Sequence, residues 1–192
     1  DGSIPEDNPY VGDDSALDSI WSRGHRSPHG LEVNPLSDEL WSTEMGPRGG
    51  DELNIIEPGG NFGWPLHSLG INDSGTEVNY GRDELEFFRI EDIVMPLVDF
   101  TPSPAVSSFI FYQGDAFPEW KNDILMGTLK AQQLFRFSLD GNRVIEQEIL
   151  LDDFARIRDI ESGVDGEVYL LLENGAGSKI ARLMPGSVEV AE

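Results

Sequence analysis

From Gly30 onward the chain is written in short apolar runs of about five to eight residues, each closed by a turn signal. GLEVNP, ELWSTEM and DELNIIEP come first, and VSSFIFYQG, NDILMGT, QLFRFSLDGNRV and RDIESGVDGEVYLLLENGAGSKIARLM follow. Runs of that length, rich in β-branched and aromatic residues, predict strands. Asp140-Gly141 and Asp165-Gly166 stand between apolar runs, the signature of hairpins, so the strands should form antiparallel meanders. The opening thirty residues, with DGSIPEDNPYVGDDSALDSIW, are rich in Asp, Pro and Gly and predict a connection rather than a helix. Between the two strand groups, residues 66–91 carry the charged run GRDELEFFRIED and few strand signals, which predicts a long excursion with room for a short helix. The expected class is all-β, and the spacing fits a sandwich, a barrel or propeller blades equally.

Composition narrows the function classes. With 192 residues and 39% hydrophobic content, the chain can build a sizeable core. The net charge of −23, from 36 acidic and 13 basic side chains, opposes binding to nucleic-acid phosphates and to anionic membranes. No apolar stretch approaches the roughly 20 residues that span a bilayer. The absence of cysteine excludes disulfides and thiolate chemistry but fixes no compartment. The chain opens at Asp1 with no initiator Met or targeting segment, so an N-terminus made by processing, cloning or truncation is expected.

Four segments go beyond β texture. In Gly24-His25-Arg26-Ser27-Pro28-His29-Gly30, glycines flank a cation between ring-bearing residues, although a surface turn would read the same way. Glu44-Met45-Gly46-Pro47-Arg48-Gly49-Gly50-Asp51-Glu52, running on to Pro58-Gly59-Gly60-Asn61-Phe62-Gly63-Trp64-Pro65, concentrates carbonyls and carboxylates that suit a hard cation such as calcium; a solvated acidic turn is the ordinary alternative. Thr101-Pro102-Ser103-Pro104 holds a hydroxyl between prolines. Lys130 precedes Arg156-Ile157-Arg158, where strand alternation points both guanidinium groups to one side and so favours an anion, unless the chain's own carboxylates pair with them.

Taken in order, GHRSPHGL, EMGPRGGDELNIIEPGGNFGWP, the stretch from TPSPAVSSF to LDGNRV, and RIRDIESGVDGEVYLLLEN resemble successive landmarks of the soluble quinoprotein sugar dehydrogenases, the glucose/sorbosone dehydrogenase family. The resemblance covers most of the chain. It implies a six-bladed β-propeller, of which this chain is the C-terminal part and roughly half. Residues 1–22 would connect, 23–65 form a blade with the cofactor and calcium turns, 66–95 the excursion, 96–186 the remaining blades and 187–192 a tail. It implies pyrroloquinoline quinone (PQQ) and calcium as cofactors. Arg26, Ser27 (an Asn position in the family), Met45 (usually polar), Ser103, Lys130, Arg156 and Arg158 would surround the quinone, a tricarboxylate that needs cations. Lys130 would also help polarise it. Gly46 and Pro47 would offer backbone carbonyls to the calcium. Phe62 stands where some members have a Tyr near a second, structural calcium.

The implied activity is oxidation of an aldose at C1 to its lactone, the hydride passing to the quinone and then to an external electron acceptor, in the periplasm or outside the cell. The family's catalytic His lies upstream of this chain, and none of His25, His29 and His67 matches it; His67 reads as an ordinary loop histidine. The chain is therefore expected to work with a missing N-terminal half or by self-association. A catalytically silent propeller that binds a carbohydrate or a protein is the alternative.

Overall fold

A computed structural model describes residues 2–14, 16–86, 88–175 and 177–186; the expected tail, 187–192, lies outside them. The chain is all-β, with strands β1 (Pro28–Val33), β2 (Leu40–Glu44), β3 (Asp51–Ile55), β4 (Val98–Phe100), β5 (Val106–Phe111), β6 (Ile124–Thr128), β7 (Leu134–Asp140), β8 (Arg143–Leu151), β9 (Arg156–Ser162), β10 (Val168–Glu173) and β11 (Lys179–Leu183). They form three sheets in the orders β1-β2-β3-β4, β5-β6-β7-β8 and β11-β10-β9. The registered pairs are antiparallel, as the hairpin signals require.

Two compact units divide the chain, one holding residues 1–31 and 39–103, the other 32–38 and 104–192. In the first, β2 and β3 are buried almost throughout, with Trp41 and Leu53 fully enclosed. Unusually for strand interiors, Thr43, Glu44, Asp51, Glu52 and Asn54 are buried with them. The excursion contains two single 3-10 turns, Arg82–Glu84 and Ile90–Asp92. The chain then returns as β4, which pairs Asp51 with Phe100 and Leu53 with Val98 and so adds the fourth strand to the first sheet.

In the second unit the β5–β8 sheet and the β9–β11 sheet share one core. Ile110, Tyr112, Leu125 and Leu134 from the first meet Ile157, Ile160, Leu170 and Leu172 from the second. Their contact is close enough that Ser107 Oγ donates to the Ile157 carbonyl at 2.6 Å, and Ser108 Oγ accepts from Ile160 N–H at 2.9 Å. A Cβ on Gly127 would stand 2.6 Å from Ile157 Cγ2, so this position of β6 has room only for glycine.

Candidate functional site

The β2–β3 connection is built around residues 46–50, and its shape explains its glycines. A Cβ on Gly46 would lie 2.2 Å from the Gly49 oxygen and 2.3 Å from the Gly50 oxygen, and Gly49 and Gly50 both have positive φ. Asp51, fully buried at the start of β3, braces the turn: its Oδ1 accepts from Gly46 N–H at 3.1 Å and its Oδ2 from Ser103 Oγ at 2.8 Å. Thr101 adds a second tie by accepting from Gly50 N–H at 2.9 Å. The sequence candidate Ser103 is thus held by Asp51.

Arg26 approaches the same turn. Its Nη1 donates to the Met45 carbonyl at 3.0 Å, and its guanidinium carbon lies 5.2 Å from the Trp64 ring centroid, a cation–π contact. Arg26, Met45 and Gly46 line one small cavity of about 10 Å³, together with Glu44, Glu52 and His67. Ser27 is tied to the turn through its carbonyl, which accepts from Met45 N–H at 2.9 Å. Among the described residues, neither the Gly46 nor the Pro47 carbonyl accepts a hydrogen bond. Free carbonyls on a rigid turn are hard oxygen donors of the kind calcium takes. Among the described residues, no cluster of three or more His, Asp or Glu side chains is arranged to hold a metal.

Behind the turn lies a charge cluster that the sequence reading missed. Glu44 and Glu52 are directly opposed in the β2–β3 register, both buried. Glu44 Oε2 accepts from Arg26 backbone N–H at 3.0 Å and lies 3.6 Å from His25 Nδ1, while Asn54 Nδ2 donates to both carboxyls. His25 stacks on Phe62 at 4.6 Å. Burial pushes the Glu52 carboxyl up to about 8, with its Glu44 neighbour adding to the rise. Burial acts the same way on Glu44, but the nearby His25 ring, Glu52 and the Arg26 N–H outweigh it and hold that carboxyl below its ordinary value. A signal existed, since positions 44 and 52 are symmetric about Arg48 in a hairpin-like connection. His67 is also less ordinary than its sequence suggests, since both ring nitrogens are buried without a hydrogen-bond partner among the described residues.

In the second unit the alternation argument holds. Arg156 and Arg158 stand on one face of β9, and the Glu173 carboxylate of β10 answers both, bonded to Arg158 Nε and 3.6 Å from Arg156 Nε. Arg158 keeps Glu173 below the usual carboxylate range. Arg156 Nη1 also donates to the Leu129 carbonyl at 3.4 Å, which places it beside Lys130. Lys130 is exposed, its N–H bonded to the Pro104 carbonyl at 3.0 Å, and no ion pair holds its ammonium among the described residues. Each unit therefore contributes one unpaired cation of the expected set, Arg26 and Lys130.

Residues 1–182 match the family described as Glucose / Sorbosone dehydrogenase. The chain is 41% identical over 177 residues to the aldose sugar dehydrogenase YliI of Escherichia coli, covering 92% of this chain and 47% of that protein. It is 28% identical over 227 residues to quinoprotein glucose dehydrogenase B of Acinetobacter calcoaceticus, with 93% and 47% covered. A crystal structure of a glucose dehydrogenase superposes with a TM-score of 0.87 at 41% identity, over 96% of this chain and 52% of that one. The chain spans about half the length of these relatives.

Proposed function

The chain belongs to the glucose/sorbosone dehydrogenase family, and from that premise we propose that it supplies the cofactor turn and cationic groups of a PQQ- and calcium-dependent aldose dehydrogenase. The observation that carries the reading is the Gly46–Pro47 turn, whose carbonyls are free and whose shape is locked by buried Asp51. Bound PQQ would supply a hydride acceptor for oxidation of the aldose at C1 to its lactone, with an external acceptor to reoxidise it. Gly46 and Pro47 hold the calcium by their carbonyls. Arg26 and Lys130 neutralise carboxylates of the quinone, and Lys130 stabilises charge that grows on it. Arg156 and Arg158 join them if the bound polyanion competes with Glu173. Ser103 acts through Asp51, keeping the turn in shape. The proton of the sugar hydroxyl goes to a base outside this chain, and the place of work is the periplasm or the exterior. No helix among the described residues is long and apolar enough to cross a membrane.

The neutralisation of Arg156 and Arg158 by Glu173 favours a second reading, a silent propeller that binds a carbohydrate or protein. One experiment separates the two. In a protein that contains this chain and its upstream part, dye-linked aldose oxidation should require both added PQQ and calcium, and vanish with a chelator. Calcium binding is followed independently by calorimetry and should be lost in Gly46→Ala. Activity with a nicotinamide cofactor, or no binding of calcium and PQQ, would overturn the dehydrogenase reading.

A further inference from the structure

A cavity of about 750 Å³ opens in the first unit, within the roughly 300–1,000 Å³ typical of small-molecule sites. It shares only Gly24 and Trp64 with the small cavity behind the cofactor turn. Its floor is the Glu57–Asn61 loop, and that floor is fixed from several directions. Tyr10 hydroxyl donates to the Gly59 carbonyl at 3.1 Å, Gly59 N–H to the Trp21 carbonyl at 2.7 Å, and Arg23 N–H to the Gly60 carbonyl at 2.9 Å. Val94 N–H donates to the Asn61 carbonyl at 2.9 Å and draws the far wall in. Such a pocket is pre-formed, so a ligand need not bear the cost of ordering it.

Four charged side chains line it: Arg23, Arg89, Glu57 and Asp92. None has an ion-pair or hydrogen-bond partner among the described residues. Elsewhere Arg82, Arg136, Arg143, Arg156, Arg158 and Arg182 meet carboxylates, while Arg26 is bonded to a backbone carbonyl instead. The Asn61 amide nitrogen is likewise uncommitted, since its side-chain bond is made by Oδ1 to Gly63 N–H. The four charges sum to zero, so the pocket has no net attraction for an anion. A hydroxyl both donates and accepts, so it can satisfy the cationic and the anionic side chains of one cavity alike. Trp64, held edge-on by Tyr80 at 5.7 Å, supplies an aromatic wall against which the C–H face of a ring can pack.

The geometry points to a second, non-catalytic site in this cavity for a neutral saccharide of one to three rings, separate from the cofactor turn. The assignment does not depend on the dehydrogenase reading. It is tested on the cofactor-free chain by NMR titration with maltotriose. The expected result is a saturable shift of the Trp64 indole N–H and the Asn61 side-chain amide, with Arg89→Ala and Asp92→Asn each weakening binding at least about tenfold while the remaining spectrum keeps its positions. Both substituted residues are exposed, so their loss should leave the fold intact. Shifts confined to the residues around Gly46 and Pro47, an unsaturable response, unchanged affinity in both variants, or a response to inorganic phosphate or to a zwitterionic amino acid without one to maltotriose would each overturn the assignment.

Discussion

At the scale of single residues, the least expected feature is the pair Glu44 and Glu52, two opposed carboxyls on buried strands whose pKa values are moved in opposite directions. For Glu52 the sign is definite. Its folded-state value, raised to about 8 from 4.5, means that its contribution to stability is complete below about pH 4.5 and is lost as pH rises towards 8. Glu44, held below its ordinary value, acts in the opposite sense, and its contribution fades only as pH falls through the acidic range. Glu52→Gln keeps a donor facing Glu44 and removes the titration. Urea denaturation from pH 5 to 8 should therefore show wild-type stability declining relative to the variant as pH rises, and parallel curves would refute the raised Glu52 value. His25 and the Arg26 N–H belong to the same network, so the variant also reports how firmly the turn at residues 46–50 is seated.

At the scale of elements, close approach between sheets dictates sequence more strongly than strand propensity does. β6 carries Gly127 in the middle of ILMGT, a poor strand former, because Ile157 of β9 and Ser107 of β5 occupy the space where a side chain would go. Gly127→Ala places a methyl 2.6 Å from Ile157 Cγ2 and 2.7 Å from Ser107 Oγ. We expect it to destabilise the second unit by about 1–3 kcal/mol, the usual cost of overpacking a tight interior. The urea midpoint should fall with the slope unchanged, and a neutral result would mean that β6 and β9 separate easily. The excursion offers the opposite case. Apart from two 3-10 turns it has little regular structure, yet the chain returns from it to complete the first sheet through β4. Three residues, Val-Asp-Phe, were too short a run to be read as a separate strand.

At the scale of the whole molecule, the proposed cofactor groups are divided between two units, with Arg26, Met45, Gly46, Pro47 and Ser103 in one and Lys130, Arg156 and Arg158 in the other. If PQQ takes the proposed groups, Arg26→Ala and Arg158→Ala should each weaken its binding at least about tenfold. Fluorescence titration with PQQ in calcium-containing buffer gives the affinities of the wild type and the two variants. Unchanged affinity in either variant would remove that residue from the proposed set. Each unit also exposes large apolar side chains, among them Leu31 at 63% and Ile180 at 73%.

The sequence by itself determined the class, the antiparallel hairpins and the family, because strand period, Asp-Gly turns and the ordered motifs are local in the chain. It also determined that Arg156 and Arg158 share a face, since alternation along a strand is a geometric necessity. Only the tertiary structure decided what those groups meet. That Glu173 answers both arginines, that Asp51 claims Ser103 across 52 positions, and that Glu44 faces Glu52 and His25 are consequences of pairing between distant segments. The same holds for the cavity beside Trp64, where residues from 23 to 94 are drawn together by backbone bonds. Burial and partner identity set the energy of a charged group, and neither is encoded in the neighbours it has along the chain.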